Sequence, residues 1–169
     1  MKPLSSSQRR RLTAAVEIVV VSPRGAAARY CLDAYFRELA TRFAGGFDSA
    51  RTNPAPPEVL SPPAGYFVVA TLDGAPVGCG GLKIVDRTVG EIKRMWVAPA
   101  VRGLGVGRRI LESLEAHARR AHLQMLRLDT NETLEEAHAL YRRAGYRETA
   151  PFNTEPYAQL WFAKDLGAT

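Results

Sequence analysis

Cysteine is scarce in this chain, with 2 in 169 residues, too few for a disulfide scaffold. Cys31 and Cys79 read as reduced, packed thiols, which suits a cytoplasmic setting. Neither has a histidine partner nearby in sequence, so an acyl-enzyme built on one of them is not favoured. Histidine is also sparse, with 3 residues. His117 and His122 do not share a helix face, and Glu135 with His138 echoes only half of a di-iron motif. No metal site is supported. Long apolar runs are missing: nothing approaches the roughly 20 residues of a membrane helix. The stretch from Arg9 to Ala28 has the order of a secretion signal, but Glu17 breaks its apolar part.

What the chain has in quantity is apolar residue, at 46%, with 24% charged, enough for one core in one domain. Lysine and arginine number 23 against 17 acids, for a net charge of +6 and a pI near 9.7. The one basic cluster, Arg9 to Arg11, lies in a serine-rich stretch. Residues 1–13 are expected to be a flexible basic leader, with 14–169 a single domain. No basic-aromatic pattern or recognition-helix motif points to nucleic acid.

The β-branched run Val16 to Val21 reads as a first strand. Ser22-Pro23 should open a helix that ends at Gly45-Gly46. Residues 47–64, rich in proline, read as a loop. Tyr66 to Leu72, the turn Asp73-Gly74 and Pro76 to Val85 form a hairpin signature. Glu91 to Val97 follows as a third strand. A helix with Ile110, Leu111 and Leu114 on one face comes next, with Glu115 and Arg119 as a surface pair. Then come a strand from Met125 to Asp129 and a short helix opened by a capping box at Thr133. Two last strands run over Tyr146 to Thr149 and Tyr157 to Lys164. Only the step from Glu91–Val97 through a helix to Met125–Asp129 demands a parallel crossover. The expected fold is therefore α/β, with a mixed, mostly antiparallel sheet and flanking helices.

Between that strand and helix stands Arg102-Gly103-Leu104-Gly105-Val106-Gly107-Arg108. Backbone N–H groups converge there, and the helix dipole favours an anion. No Gly-Lys-Ser/Thr follows, so it is not a nucleotide-triphosphate loop. The dinucleotide fingerprint would need glycine at Arg108 or Ile110, and neither fits.

At these residues the chain resembles the GNAT N-acetyltransferases, whose acyl-CoA motif is Arg/Gln-x-x-Gly-x-Gly/Ala. Glu91 to Pro99 is similar to the family's central strand, and Leu140 to Tyr146 to its second signature. The resemblance implies the acyl-CoA N-acyltransferase fold, with one parallel strand pair splayed apart after Val97. It implies acetyl-CoA as co-substrate. Amides from Arg102 to Arg108 (Gly103, Leu104, Gly105, Val106 and Gly107 between them) would hold its pyrophosphate. The main chain of Met95, Trp96 and Val97 would pair with the pantetheine, and Asn131 would reach it by its side chain. The basic charge then suits a polyanionic cofactor.

The resemblance also implies N-acetyl transfer to a primary amine of a small molecule, amino-acid derivative or peptide. Tyr141 is the candidate acid for the leaving thiolate, and Glu91, at the head of the central strand, the candidate base, direct or through water. A non-catalytic acyl-CoA-binding module is the alternative. The resemblance implies an acceptor pocket formed by residues 30–64 and 151–157, which carry Tyr35, Phe36, Phe43, Phe47, Phe152 and Tyr157, with Arg37, Arg42, Arg51 and Glu155. A homodimer is left open, and no membrane partner is implied.

Overall fold

The computed structural model describes residues 2–167. Seven strands form one sheet in the order β1-β2-β3-β4-β5-β7-β6. They are β1 (Glu17–Val20), β2 (Gly65–Leu72), β3 (Ala75–Ile84), β4 (Val89–Val97), β5 (Met125–Thr130), β6 (Arg147–Thr149) and β7 (Leu160–Asp165). The helices are α1 (Ser6–Ala15), α2 (Ala26–Arg42), α3 (Val106–Arg120) and α4 (Glu135–Arg143). Among the described residues only β4 and β5 pair in parallel; every other pair is antiparallel. The mixed sheet with one parallel step is the fold the element order calls for.

Two apolar layers cover the sheet. On one face Ile110, Leu111 and Leu114 of α3 and Tyr141 of α4 pack with Val68, Ala70, Leu82, Leu126 and Phe162. On the other, Ala28 and Cys31 of α2 pack with Phe67, Val69, Cys79 and Trp96. Alternate residues of β2 thus feed opposite layers, as the two-residue strand period requires. A Cβ at Gly80 would stand 2.8 Å from Ile110 Cγ2, so glycine there lets α3 lie close on the sheet. Asp73 (φ 51°) and Gly74 (φ 80°) are both left-handed, the geometry of a two-residue hairpin turn.

Several local expectations give way to tertiary context. The basic stretch expected to be a flexible leader is helical over Ser6–Ala15, opened by a capping box between Ser5 and Gln8. Helix α2 starts at Ala26 with Gly25 as its cap, not at Pro23, because Ser22 closes a turn onto Gly25 N instead. The capping box at Thr133 does not form: Thr133 N and Oγ both donate to Asn131 Oδ1, at 3.0 and 2.8 Å, and α4 starts at Glu135. Glu115 is not a surface residue. It is buried, accepts from Lys164 Nζ at 3.0 Å and Tyr146 Oη at 3.1 Å, and meets Arg119 only at 3.7 Å.

The strand separation begins earlier than expected. β4 pairs with β5 only from Val89↔Met125 to Glu91↔Arg127. Beyond Glu91, not Val97, the two diverge. β4 carries a bulge there: Gly81 faces Lys93 but Cys79 faces Trp96, so β4 spends one more residue than β3. Arg94 takes the left-handed conformation at that point (φ 58°). A bulge bends its strand and re-aims its side chains. The edge of β4 from Ile92 to Val97 is thereby freed from β5.

Candidate active site

The opened edge borders a cavity of about 960 Å³ between α2, α3 and α4. Met95, Trp96 and Val97 line it, together with Arg102, Gly103, Gly105, Val106, Gly107, Arg108 and Tyr141. The sequence-predicted cofactor residues are therefore brought together, with two exceptions. Leu104 packs into the core and lies outside this lining. Asn131 lines a second, smaller cavity, where its Nδ2 donates to Tyr157 O at 2.9 Å. Its side chain is committed locally rather than offered to the large groove.

The glycine turn is shaped for an extended anion. Gly103 and Gly105 have φ near +77° and +84°, conformations that L side chains adopt only at a cost. Gly107 plays a different part. A Cβ there would meet Leu140 Cδ2 at 3.1 Å and Val97 Cγ2 at 3.4 Å, so its bare backbone keeps the groove open where α3 passes α4. The lining meets what a pyrophosphate with a long thin arm requires: a wide groove, a glycine cradle at a helix N-terminus and two arginines. The turn is braced from behind by α1, since Thr13 Oγ donates to Leu104 O. Arg109 Nη1 donates to Thr13 O at 2.6 Å and also to Val16 O. This brace was illegible in the sequence, because α1 was not expected to be ordered.

Arg102 lines the groove. Its Nε donates to Val97 O at 3.0 Å, and its Nη2 bonds Glu38 Oε2 at 2.7 Å. Arg42 pairs with Glu136 and donates to Thr133 O at 2.6 Å, tying α2 to α4. The hydrogen bonds from the Arg42 guanidinium to Glu136 pull the Glu136 carboxyl down to about 2. Glu38 and Glu136 were not singled out in the sequence, since acids on helix faces carry no signal of their partners.

Tyr141 is 5% exposed and borders both cavities. Among the described residues its hydroxyl has no hydrogen-bond partner, yet it is not a sealed polar atom. Burial pushes its phenol well above the ordinary value, helped by the Tyr35 hydroxyl and the Asp129 carboxylate. Tyr35 borders both cavities as well, and burial, against the opposing pull of Arg94, pushes its phenol up to about 12.

Glu91 is placed elsewhere. It is 7% exposed and borders neither cavity. Its Oε1 accepts from Arg127 at 2.7 and 3.0 Å, and Lys93 Nζ lies 3.2 Å from Oε2. Burial raises its carboxyl, but the charges and hydrogen bonds of Lys93 and Arg127 outweigh that and hold it below the usual range. A carboxylate held between two cations is a poor proton acceptor.

The smaller cavity, about 90 Å³, adjoins the large one at Tyr35, Leu39, Met95 and Tyr141. Phe43, Phe47 and Tyr157 form an aromatic wall, with Phe47 and Tyr157 4.8 Å apart between ring centres. The proline-rich loop and the loop before β7 are knit together here. Asp48 N donates to Tyr157 Oη at 2.8 Å, and Asn53 N to Glu155 Oε2 at 2.7 Å. Two expected acceptor residues are not part of this wall: Phe152 lies under Arg127 at 4.3 Å, and Phe36 under Arg94 at 5.1 Å. Lys93, Arg94 and Asp129 do belong to it. Lys93 and Arg94 escaped sequence reasoning because the bulge breaks the alternation of β4, and Asp129 because it reaches this cavity from β5. Cys31 and Cys79 are buried free thiols, and no cluster of metal-ligating side chains occurs among the described residues. His138 is buried, and its Nε2 donates to Asn131 O at 2.8 Å, a structural role.

Residues 32–146 match the model of the acetyltransferase (GNAT) family, and the chain belongs to that family. It is 42% identical over 101 residues to an IAA acetyltransferase of Azospirillum brasilense, covering 59% of this chain and 65% of that protein. The chain thus spans less than two thirds of the curated relatives it matches. A GNAT-family acetyltransferase of Staphylococcus aureus shares the fold with a TM-score of 0.76 at 18% identity, over 90% of this chain and 100% of that one. A GNAT acetyltransferase of Elizabethkingia anophelis, solved with acetyl-CoA bound, superposes with a TM-score of 0.57 at 17% identity, over 89% and 98% of the two chains. No helix among the described residues is long and apolar enough to cross a membrane.

Proposed function

We propose that the protein transfers the acetyl group of acetyl-CoA directly to a primary amine of a small acceptor. The observation that carries this reading is Tyr141, which borders both the large groove and the smaller cavity and whose hydroxyl has no hydrogen-bond partner among the described residues. Acetyl-CoA supplies an activated thioester, and its thiolate leaves when the amine nitrogen bonds the acetyl carbon. The amides and arginines around Gly103 to Gly107 bind its pyrophosphate, and the free edge of β4 from Ile92 to Val97 offers main-chain partners to the pantetheine arm. The raised phenol of Tyr141 keeps its proton at any physiological pH. A thiol titrates near 8.5, so full transfer from this phenol is uphill, and the hydroxyl acts chiefly by hydrogen-bonding the thiolate as it forms.

Proton removal from the acceptor belongs to the small cavity, where Asp129 and Glu155 stand, or to a water there. Glu91 serves as a positioning residue in this reading. It fixes Lys93, which also lies 4.0 Å from Asp129. The cytoplasmic setting is part of the same proposal and rests on the two free thiols. Release of free CoA thiol from acetyl-CoA in the presence of an amine panel tests the reading. Amine-dependent release, lost on heating the protein, supports it. Tight acetyl-CoA binding with no release for any amine would favour a non-catalytic binding module.

A further inference from the structure

Resting on the acetyl-transfer reading only for the place of the acceptor, we propose that this acceptor is a small amine carrying an anionic group, its ammonium received by Glu155 and its anion by Arg94. Four charged side chains line the smaller cavity: Lys93, Arg94, Asp129 and Glu155. Two of them are already matched. Lys93 is held by Glu91 at 3.2 Å and faces Asp129 at 4.0 Å, and Asp129 Oδ2 accepts from Asn153 Nδ2 at 2.8 Å.

The other two are incompletely matched. Glu155 accepts from Asn53 N through Oε2 at 2.7 Å, but its Oε1 is buried with no hydrogen-bond partner. Buried carboxylate oxygens are seldom left so, which marks Oε1 as waiting for a donor. Arg94 makes no ion pair and no side-chain hydrogen bond among the described residues; its guanidinium stacks over Phe36 at 5.1 Å. Both lie close enough to the Tyr35 phenol to shift its titration, in opposite senses.

One unmatched anion and one unmatched cation in the same cavity favour a ligand with the reverse pair. A plain alkylamine leaves Arg94 unmatched, and a polyamine brings a second cation against it. A carboxylate or a phosphonate can take two parallel hydrogen bonds from the guanidinium. The aromatic wall of Phe47 and Tyr157 lowers the local dielectric and sharpens both contacts. The volume, about 90 Å³, keeps the acceptor short.

The test compares β-alanine and aminoethylphosphonate with propylamine as acceptors for the full chain at saturating acetyl-CoA, read as thiol release. At least one anionic amine should exceed propylamine in kcat/KM by about tenfold or more. Arg94→Gln should bring that ratio down several-fold, and Arg94→Lys should keep much of it. Glu155→Gln should lower kcat/KM for the anionic amine by about tenfold or more, with acetyl-CoA affinity by calorimetry reporting that the variant is folded. The better of carboxylate and phosphonate identifies the anion. Equal use of propylamine, or a preference indifferent to Arg94→Gln, overturns the proposal. If no amine is acetylated, that failure belongs to the activity, and titration of both anionic amines into the CoA-saturated protein decides instead. Binding lost in Arg94→Gln supports the proposal; no binding, or binding indifferent to Arg94, overturns it.

Discussion

Tyr141→Phe removes one hydroxyl from the junction of two cavities and nothing else. The ring packs with Phe162 and Tyr146, with centroids 6.1 and 5.9 Å away, and phenylalanine keeps both contacts. The lost hydroxyl has no hydrogen-bond partner among the described residues, so the folded state gives up none that they supply. The melting temperature should stay level or rise slightly. A hydrogen bond to a charged group contributes about 1.5–3 kcal/mol, and here the charge is the thiolate that develops as the carbon–sulfur bond breaks. Dividing by 1.36 kcal/mol per factor of ten gives a fall in kcat of about tenfold to about a hundredfold. Because that charge exists only in the transition state, kcat and kcat/KM should fall together while acetyl-CoA affinity holds. The assay is steady-state thiol release at saturating acceptor, with a pre-steady-state run to show that chemistry, not product release, limits the rate. The phenol stays protonated well above neutrality, so the alkaline limb of the wild-type profile should survive in the variant. A wild-type rate in Tyr141→Phe under chemistry-limited conditions would refute the reasoning and leave water as the proton source.

Gly107→Val places a branched side chain 3.1 Å from Leu140 and 3.4 Å from Val97, narrowing the groove; acetyl-CoA affinity by calorimetry should fall by about tenfold, or about 1.4 kcal/mol. Glu91→Gln leaves Arg127 and Lys93 without their carboxylate and should cost about 2 kcal/mol in denaturant unfolding. Since the folded carboxyl of Glu91 is lowered, its contribution is complete above the ordinary glutamate value and lost as pH falls through the folded one. Melts from neutral pH into the acid range should therefore decline less steeply in Glu91→Gln than in wild type. The acid limb of the rate profile should survive in that variant, and its disappearance would restore Glu91 as the base. Arg109→Ala removes both bonds to the end of α1 and should weaken acetyl-CoA binding through the glycine turn, measurably by calorimetry and alongside a lower melting temperature. An unchanged affinity would limit α1 to a stabilising role.

The chain's own letters determine the strand and helix order, because alternation in β2, the Asp73-Gly74 turn and the apolar stripe of α3 are local patterns with one physical solution each. The glycine turn is local too: Gly103 and Gly105 adopt the left-handed conformation that glycine alone takes freely, and the helix that follows points its amides at them. Tyr141 was legible because a stripe on a short helix fixes its side. Other features depend on residues far apart in sequence. Glu91 looks like a free carboxylate until β5 brings Arg127 beside it, 36 residues on. Asn131 looks available until the loop before β7 offers Tyr157 O. The serine-rich leader looks mobile until Arg109 and Leu104 hold its far end as a helix. The bulge at Arg94 appears only where β4 pairs with β3, and Lys93, Arg94, Asp129 and Glu155, from two strands and a loop, come to line one cavity only in the folded chain. Local propensity acts over a few residues; charge pairing, bulges and cavities exist only once the chain has closed on itself, so the acceptor site belongs to the tertiary structure.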